Sequence, residues 1–330
     1  MNLWLLDVRT RVALITVGVA VVSYPLTFVV WPPEVRATAP VAAQALGYVL
    51  LAAECLAMGA GVAFLAHGYR AVKLLSLSRP LTVVTYLGIS YCLLNWWTHD
   101  HLHALAFTLD FTSLLWMSVV IDYLFHVGMM LLAAVMALFF VKLLTANRAC
   151  ARRGGDGSMR RFGFRSKFTA GVIAIAVVSI PASLLLFRPA LPGGFALPVA
   201  VLPFVLGLKI FEGLALGTGL GFLFFGYPLL RRARQSRMLT VLAYLSIAWY
   251  LVNWWPHDNL HLINGSNLWG LLAIEFGFHF TMMVAAGVLA IFFYRAGAQG
   301  AGRLEADRLS STTASRTSSM VAQASWGPDV

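Results

Sequence analysis

The chain has 330 residues, of which 60% are hydrophobic and only 11% are charged. A soluble domain carries about 25% charged residues, so the composition excludes an ordinary water-soluble enzyme. The formal net charge is +11, but the basic residues sit in short stretches between apolar segments. That distribution reads as membrane topology, with no nucleic-acid partner expected.

Apolar runs of about 20 residues, each long enough to cross a bilayer, recur along the chain. In order they cover 12–31, 41–68, 80–98, 113–141, 169–187, 197–227, 238–255 and 268–294. The first run, with its basic start, resembles a signal peptide. Its Ala20-Val21-Val22-Ser23 and Pro25 recur as Ala176-Val177-Val178-Ser179 and Pro181, so it is expected to be a structural helix.

The recurrence extends much further. Glu54 to His103 aligns without a gap to Glu212 to His261, with 25 of 50 positions identical. Downstream, Ile121, Asp122, Phe125, His126, Met129 and Met130 match Ile274, Glu275, Phe278, His279, Met282 and Met283. The expected fold is an all-α polytopic membrane protein. Its eight transmembrane helices form two tandem four-helix repeats in the same orientation, with a pseudo-twofold along the membrane normal. Residues 1–145 form the first repeat, 146–166 a basic cytoplasmic linker, 167–296 the second repeat and 297–330 a disordered cytoplasmic tail. With the N-terminus inside, 21 of the 24 basic residues fall on the cytoplasmic side. Both termini are then cytoplasmic, in a plasma membrane, and the Ala, Gly, Val and Arg bias suits a bacterial one.

The duplication also isolates the polar residues that carry chemistry. Three histidine pairs match: His99 with His257, His103 with His261, and His126 with His279. Three acidic pairs match as well: Glu54 with Glu212, Asp100 with Asp258, and Asp122 with Glu275. His67 and His101 have no counterpart. Ionisable side chains inside a membrane helix are costly, so a functional reading comes first. His99 and His103 are four apart, as are Asp122 and His126, which puts each pair on one helix face. Counted at about 1.5 Å per residue from the basic cytoplasmic helix ends, these groups meet in the outer third of the bilayer.

Imidazole and carboxylate without thiolate suit Zn, Fe, Mn or Cu(II). The proposed metal ligands are Glu54, His99, His103, Asp122 and His126, then Glu212, His257, His261, Glu275 and His279. Asp100, Asp258, Asn95 and Asn253 are expected to orient the rings. Met130 and Met283 lie one turn below His126 and His279 and are expected to be apolar fillers. Bis-histidine haem b is the lesser cofactor alternative, and a metal-free proton relay or polar lock is the alternative to any metal. Lys209, three residues before Glu212, is expected to pair with it and weaken metal binding there, leaving the first site active and the second altered or structural.

Other features have structural readings. Trp96-Trp97 and Trp254-Trp255 are expected in an aromatic belt at the outer interface. Gly213, Gly217 and Gly221, with Cys55, Gly59 and Ala63, form small-residue stripes on which helices two and six are expected to meet. The three cysteines, Cys55, Cys92 and Cys150, fit neither a disulfide nor a metal spacing.

Three functions stay open. The first is a membrane-embedded metalloenzyme, an oxidoreductase or hydrolase opening outward, with Asp100 or Asp122 as general base. The others are a metal-ion or proton-coupled transporter, and a non-catalytic metal or haem subunit of a membrane complex. The expected partners are membrane lipids, a small lipophilic substrate and partner subunits.

Overall fold

A computed structural model describes residues 7–30, 39–75, 78–106, 109–151, 159–187, 198–231, 235–264 and 267–299. Every regular element among them is helical. In chain order these are α1 (Val8–Val30), α2 (Val41–Lys73), α3 (Arg79–Ala106), α4 (Phe111–Ile121) and α5 (Gly128–Ala151). Then follow α6 (Met159–Phe187), α7 (Leu202–Phe225), the short α8 (Tyr227–Leu230), α9 (Arg237–Val252), α10 (Trp254–Asn264), α11 (Leu268–Ile274) and α12 over 281–299. A π-helical turn, π1 (Asp122–Val127), joins α4 to α5, and another, π2 (Glu275–Phe280), joins α11 to α12.

Among the described residues each of the eight apolar runs is mainly helical; the sixth becomes so only from Leu202, after a turn at 199–201. Five helices are long and apolar enough to cross a membrane, and six when α9 and α10 count as one bent span. α3 falls outside that set: Thr82, Thr85, Ser90 and Asn95 dilute its apolar stretch, and Thr98-His99-Asp100-His101-Leu102-His103 follows it. The helices reach further than the apolar runs. α5 continues to Ala151 and α6 begins at Met159, so both enter the expected linker at 146–166. Of the expected tail at 297–330, residues 300–330 lie outside the described residues.

Local chemistry accounts for the breaks. Asp110 caps α4 by accepting from the Thr112 and Ser113 amides at 3.0 and 3.2 Å. Ser236 caps α9 and Asn267 caps α11 in the same way. α9 and α10 meet at a 46° bend. Pro256 sits just beyond it, lacking the N–H that would bond back to Val252 and crowding that carbonyl. The first half carries Thr98 at this position, and α3 runs straight through.

The outer helices α1 and α6 turn valines outward, with Val22 67% and Val178 65% exposed. So much exposed apolar surface calls for an apolar solvent around the chain. Glycines decide how these helices dock. A Cβ on Gly217 would lie 2.7 Å from the Val172 carbonyl oxygen of α6, and one on Gly59 would collide with the Thr16 carbonyl of α1. Gly213 and Gly221 likewise face Ala176 and Phe168 of α6. The small stripes therefore seat α7 on α6 and α2 on α1. This corrects the expectation that the second and sixth apolar runs, α2 and α7, meet there: the close approach is between neighbours within each half.

The two halves interlock. α2 packs on α11 and π2, α7 packs on π1 and α5, and α5 packs on α9. One core runs through both halves and includes Phe64, Trp96, Met129, Tyr250, Trp254 and Met282. Tyr123 Oη donates to the Phe204 carbonyl at 2.8 Å, and Tyr294 Oη to the Ala63 carbonyl at 3.2 Å, tying one half to the other.

Candidate metal centre

The end of α3 and the π1 turn bring three imidazoles together. His99 Nε2 lies 3.0 Å from His126 Nε2 and 3.2 Å from His103 Nε2. In the second half, His257 Nε2 lies 2.8 Å from His279 Nε2 and 3.2 Å from His261 Nε2. Each trio offers ligand atoms close enough to share one metal ion. His99, His126, His257 and His279 are buried, while His103 and His261 are partly buried and close each group on its open side.

The opposite ring nitrogens meet carboxylates. His99 Nδ1 donates to Asp100 Oδ1 at 2.5 Å, and His257 Nδ1 to Asp258 Oδ1 at 2.6 Å. With the proton held on Nδ1, each Nε2 presents a lone pair toward its neighbours. Such lone pairs repel unless a proton or a metal sits among them.

Bond geometry separates the two kinds of contact. At metal–nitrogen bonds of about 2.05 Å, the separations of 2.8–3.2 Å correspond to angles of about 86–103°, within normal coordination. His99, Asp100 and His279, and likewise His126, His257 and Asp258, also come close enough to hold an ion. There the 2.5 Å His–Asp contact would require an angle of about 75° at the same bond length. That contact is a charge-assisted hydrogen bond.

Asp122 Oδ1 lies 3.3 Å from His126 Nδ1, and Glu275 contacts His279 Nδ1. Both acids thus stand behind a ring, on the side away from the Nε2 groups. Glu54 faces Asp100 and Glu212 faces Asp258, outside the trios. Lys209 Nζ reaches both Glu212 oxygens at 2.8 and 2.9 Å, as its spacing predicts. So of the ten expected ligands, the six histidines gather in two groups, and the four acids surround them.

The unmatched His101 bonds the Trp97 carbonyl at 2.5 Å, and Asn259 at the equivalent position bonds the Trp255 carbonyl. Asn95 and Asn253 are buried, and neither amide hydrogen-bonds an imidazole, so they do not orient a ring. Met130 and Met283 are buried in the apolar core.

Trp96 and Trp254 are fully buried, not part of an interfacial belt. Trp96 packs on the His279 ring at 5.2 Å between centroids, and Trp254 packs on His126 at 4.7 Å. Their neighbours are anchors. Trp97 Nε1 donates to Thr27 Oγ1 of α1, and Trp255 Nε1 donates to the Ser179 carbonyl of α6. The belt reading fails for Trp96 and Trp254, because one indole of each Trp-Trp pair faces the core.

The π-turns carry no separate sequence signal. Each holds its acid and histidine four apart, a spacing an α-helix would also allow. An inserted residue turns the face of the helix beyond it by about 100°. Comparison with protein-family models, with curated proteins and with solved structures gives no match.

Proposed function

We propose that this chain is a membrane-embedded metalloenzyme holding transition-metal ions in its two histidine trios. The observation that carries the reading is that His99 Nε2 and His257 Nε2 each lie 2.8–3.2 Å from the Nε2 atoms of two further imidazoles, with all three ligand atoms of a trio within 4.8 Å of one another. In each trio, two of the rings also meet a carboxylate at Nδ1. His99, His103 and His126 would hold one ion, and His257, His261 and His279 the other. Three protein ligands leave positions for water or substrate. An ion there supplies Lewis acidity toward water, or redox chemistry.

The chain's own residues supply the rest. Asp122 and Glu275, with side chains 26% and 23% exposed, are the more accessible acids and suit proton transfer. Asp100 and Asp258, with side chains 15% and 10% exposed, orient rings. The Nε2 atoms of a trio lie too close together to take opposite faces of a porphyrin, which favours a bare ion over haem.

The proposed architecture is two tandem four-helix repeats, eight spans in all, inserted the same way up with both termini cytoplasmic. Supporting it are the 25 identities in 50 aligned positions and the loop charge bias. The five long apolar helices and the bent α9–α10 pair fit the same plan. The centre then lies toward the extracytoplasmic face, open to a small lipophilic substrate.

An enzyme is preferred to a transporter because of what lies below the centre. From Val127 to Phe140 the helix below His126 is wholly apolar. Phe139 packs on Phe293 at 5.5 Å, and Phe140 packs on Phe292 at 5.6 Å. These four buried rings fill the contact between halves and offer no polar step toward the cytoplasm.

Metal analysis of detergent-purified protein beside a His99→Ala, His126→Ala variant tests this. The reading requires bound metal that falls by half in the variant. Uptake of metal by sealed proteoliposomes would instead favour transport.

A further inference from the structure

We propose that Asp100 and Asp258 are positioning residues shared between the two histidine trios, so that the six histidines form one coupled two-metal centre. The inference rests on the metal reading above and adds how the two ions depend on each other.

The observation is a crossing of contacts between halves. Asp100 Oδ1 lies 2.5 Å from His99 Nδ1 and 3.4 Å from His279 Nδ1. Those rings belong to different trios, yet their centroids are only 4.9 Å apart. The second half mirrors this. Asp258 Oδ1 lies 2.6 Å from His257 Nδ1 and 3.3 Å from His126 Nδ1, with the two rings 5.2 Å apart. Each carboxylate therefore stands between one ligand of each trio.

A second contact points the same way. Trp96 covers the His279 ring and lies one turn before Asp100 on α3. Trp254 covers His126 and lies one turn before Asp258 on α10. So the π-turn histidine of each half is covered on its face by an indole, and approached at its Nδ1 edge by a carboxylate, of the other half. Asp122 and Glu275 are the competing carboxylates, each on the same helix as the ring it meets. Asp122 and Asp258 lie at the same 3.3 Å from His126 Nδ1, with side chains 26% and 10% exposed. A charge contact is stronger in the drier setting, which favours Asp258 at His126; at His279 the competing Glu275 makes a closer contact with Nδ1 than Asp100 does. The two carboxylates also put negative charge beside rings of both trios, which would lower the repulsion between two bound cations.

The consequence is reciprocal: whatever fixes a ring in one trio helps the other. The test uses full-length protein in detergent with cobalt(II) as the probe. His261→Ala disables the second trio and leaves the first to be titrated. In that background, Asp258→Asn is expected to weaken cobalt binding at the first trio by 10- to 100-fold, the usual cost of losing a ring-orienting partner. It should also shift the cobalt d–d bands, and Asp258→Glu should restore part of both. The reciprocal pair, Asp100→Asn in a His103→Ala background, tests the second trio if the first variant does not fold. Matched melting of the metal-free proteins separates ring orientation from general damage. Unchanged first-trio affinity in Asp258→Asn, with the loss appearing in Asp122→Asn instead, overturns the sharing. Failure of the wild-type chain to bind cobalt at all removes the metal reading, and this inference with it.

Discussion

Lys209 gives the most quantitative test of the packing around the centre. Its ammonium lies 2.8 and 2.9 Å from the two oxygens of Glu212, whose side chain is fully buried, while Lys209 itself is 15% exposed. The residue aligned with it in the first half is Leu51, so Lys209→Leu puts the same side chain at both positions. At an effective dielectric of about 20, opposite charges roughly 3.5 Å apart attract by about 5 kcal/mol. Desolvation offsets much of that gain, so the pair's net worth is small. Removing one partner strands a buried carboxylate and costs about 3–5 kcal/mol. Lys209→Leu should therefore lower unfolding stability by that amount in a denaturant titration in detergent. A Lys209→Leu, Glu212→Gln double variant should recover most of the loss, because neither charge is left buried. A neutral single variant, or a double variant worse than the single, would refute the reasoning.

Four further outcomes follow from the same geometry. Gly217→Leu should destabilise by about 3 kcal/mol or more by forcing α7 off the α6 backbone, whereas Gly287→Ala, with open space at its Cβ, should be neutral or slightly stabilising; thermal melting reads both. Pro256→Thr should straighten the α9–α10 junction without loss of second-trio metal, since α3 carries Thr98 there and still gathers its histidines; loss of that metal would show that the bend is required. Ser236→Ala should cost about 1 kcal/mol through the lost α9 cap. Asp110 is held below its ordinary value of 3.8 by its bonds to Ser113 and Thr112. Its cap therefore stabilises fully above the unfolded value and fades as pH falls through the lower folded value. Melting curves taken across that acid range should lose this component in Asp110→Asn.

The helices and the six histidines were legible in the sequence for physical reasons. A bilayer demands about 20 apolar residues per span, and the alignment of 54–103 with 212–261 separates polar positions common to both stretches from apolar ones that differ. His99 and His103 had to share a face by spacing alone. What the sequence concealed depends on how the halves meet. Nothing in the spacing of Asp100 points to His279, because that contact arises from α3 packing against the other half's π-turn. The same packing buries Trp96 and Trp254, which composition assigns to an interface. The glycine stripes were visible, but the partner helix was not, since any close neighbour suits a small residue. Four acids at the right depth resembled ligands, and only side-chain geometry separates an acid behind a ring from one beside a lone pair.

The central claim is that six histidines hold two metal ions. Elemental analysis of detergent-purified full-length protein, after reloading with Zn, Fe, Cu or Mn in turn, addresses it most directly. The account predicts two ions of one metal per chain. His261→Ala should leave one, and His99→Ala with His257→Ala should leave none, all with unchanged helical content. A wild-type chain that binds no ion after reloading, or retains both in the His99→Ala, His257→Ala variant, would contradict it.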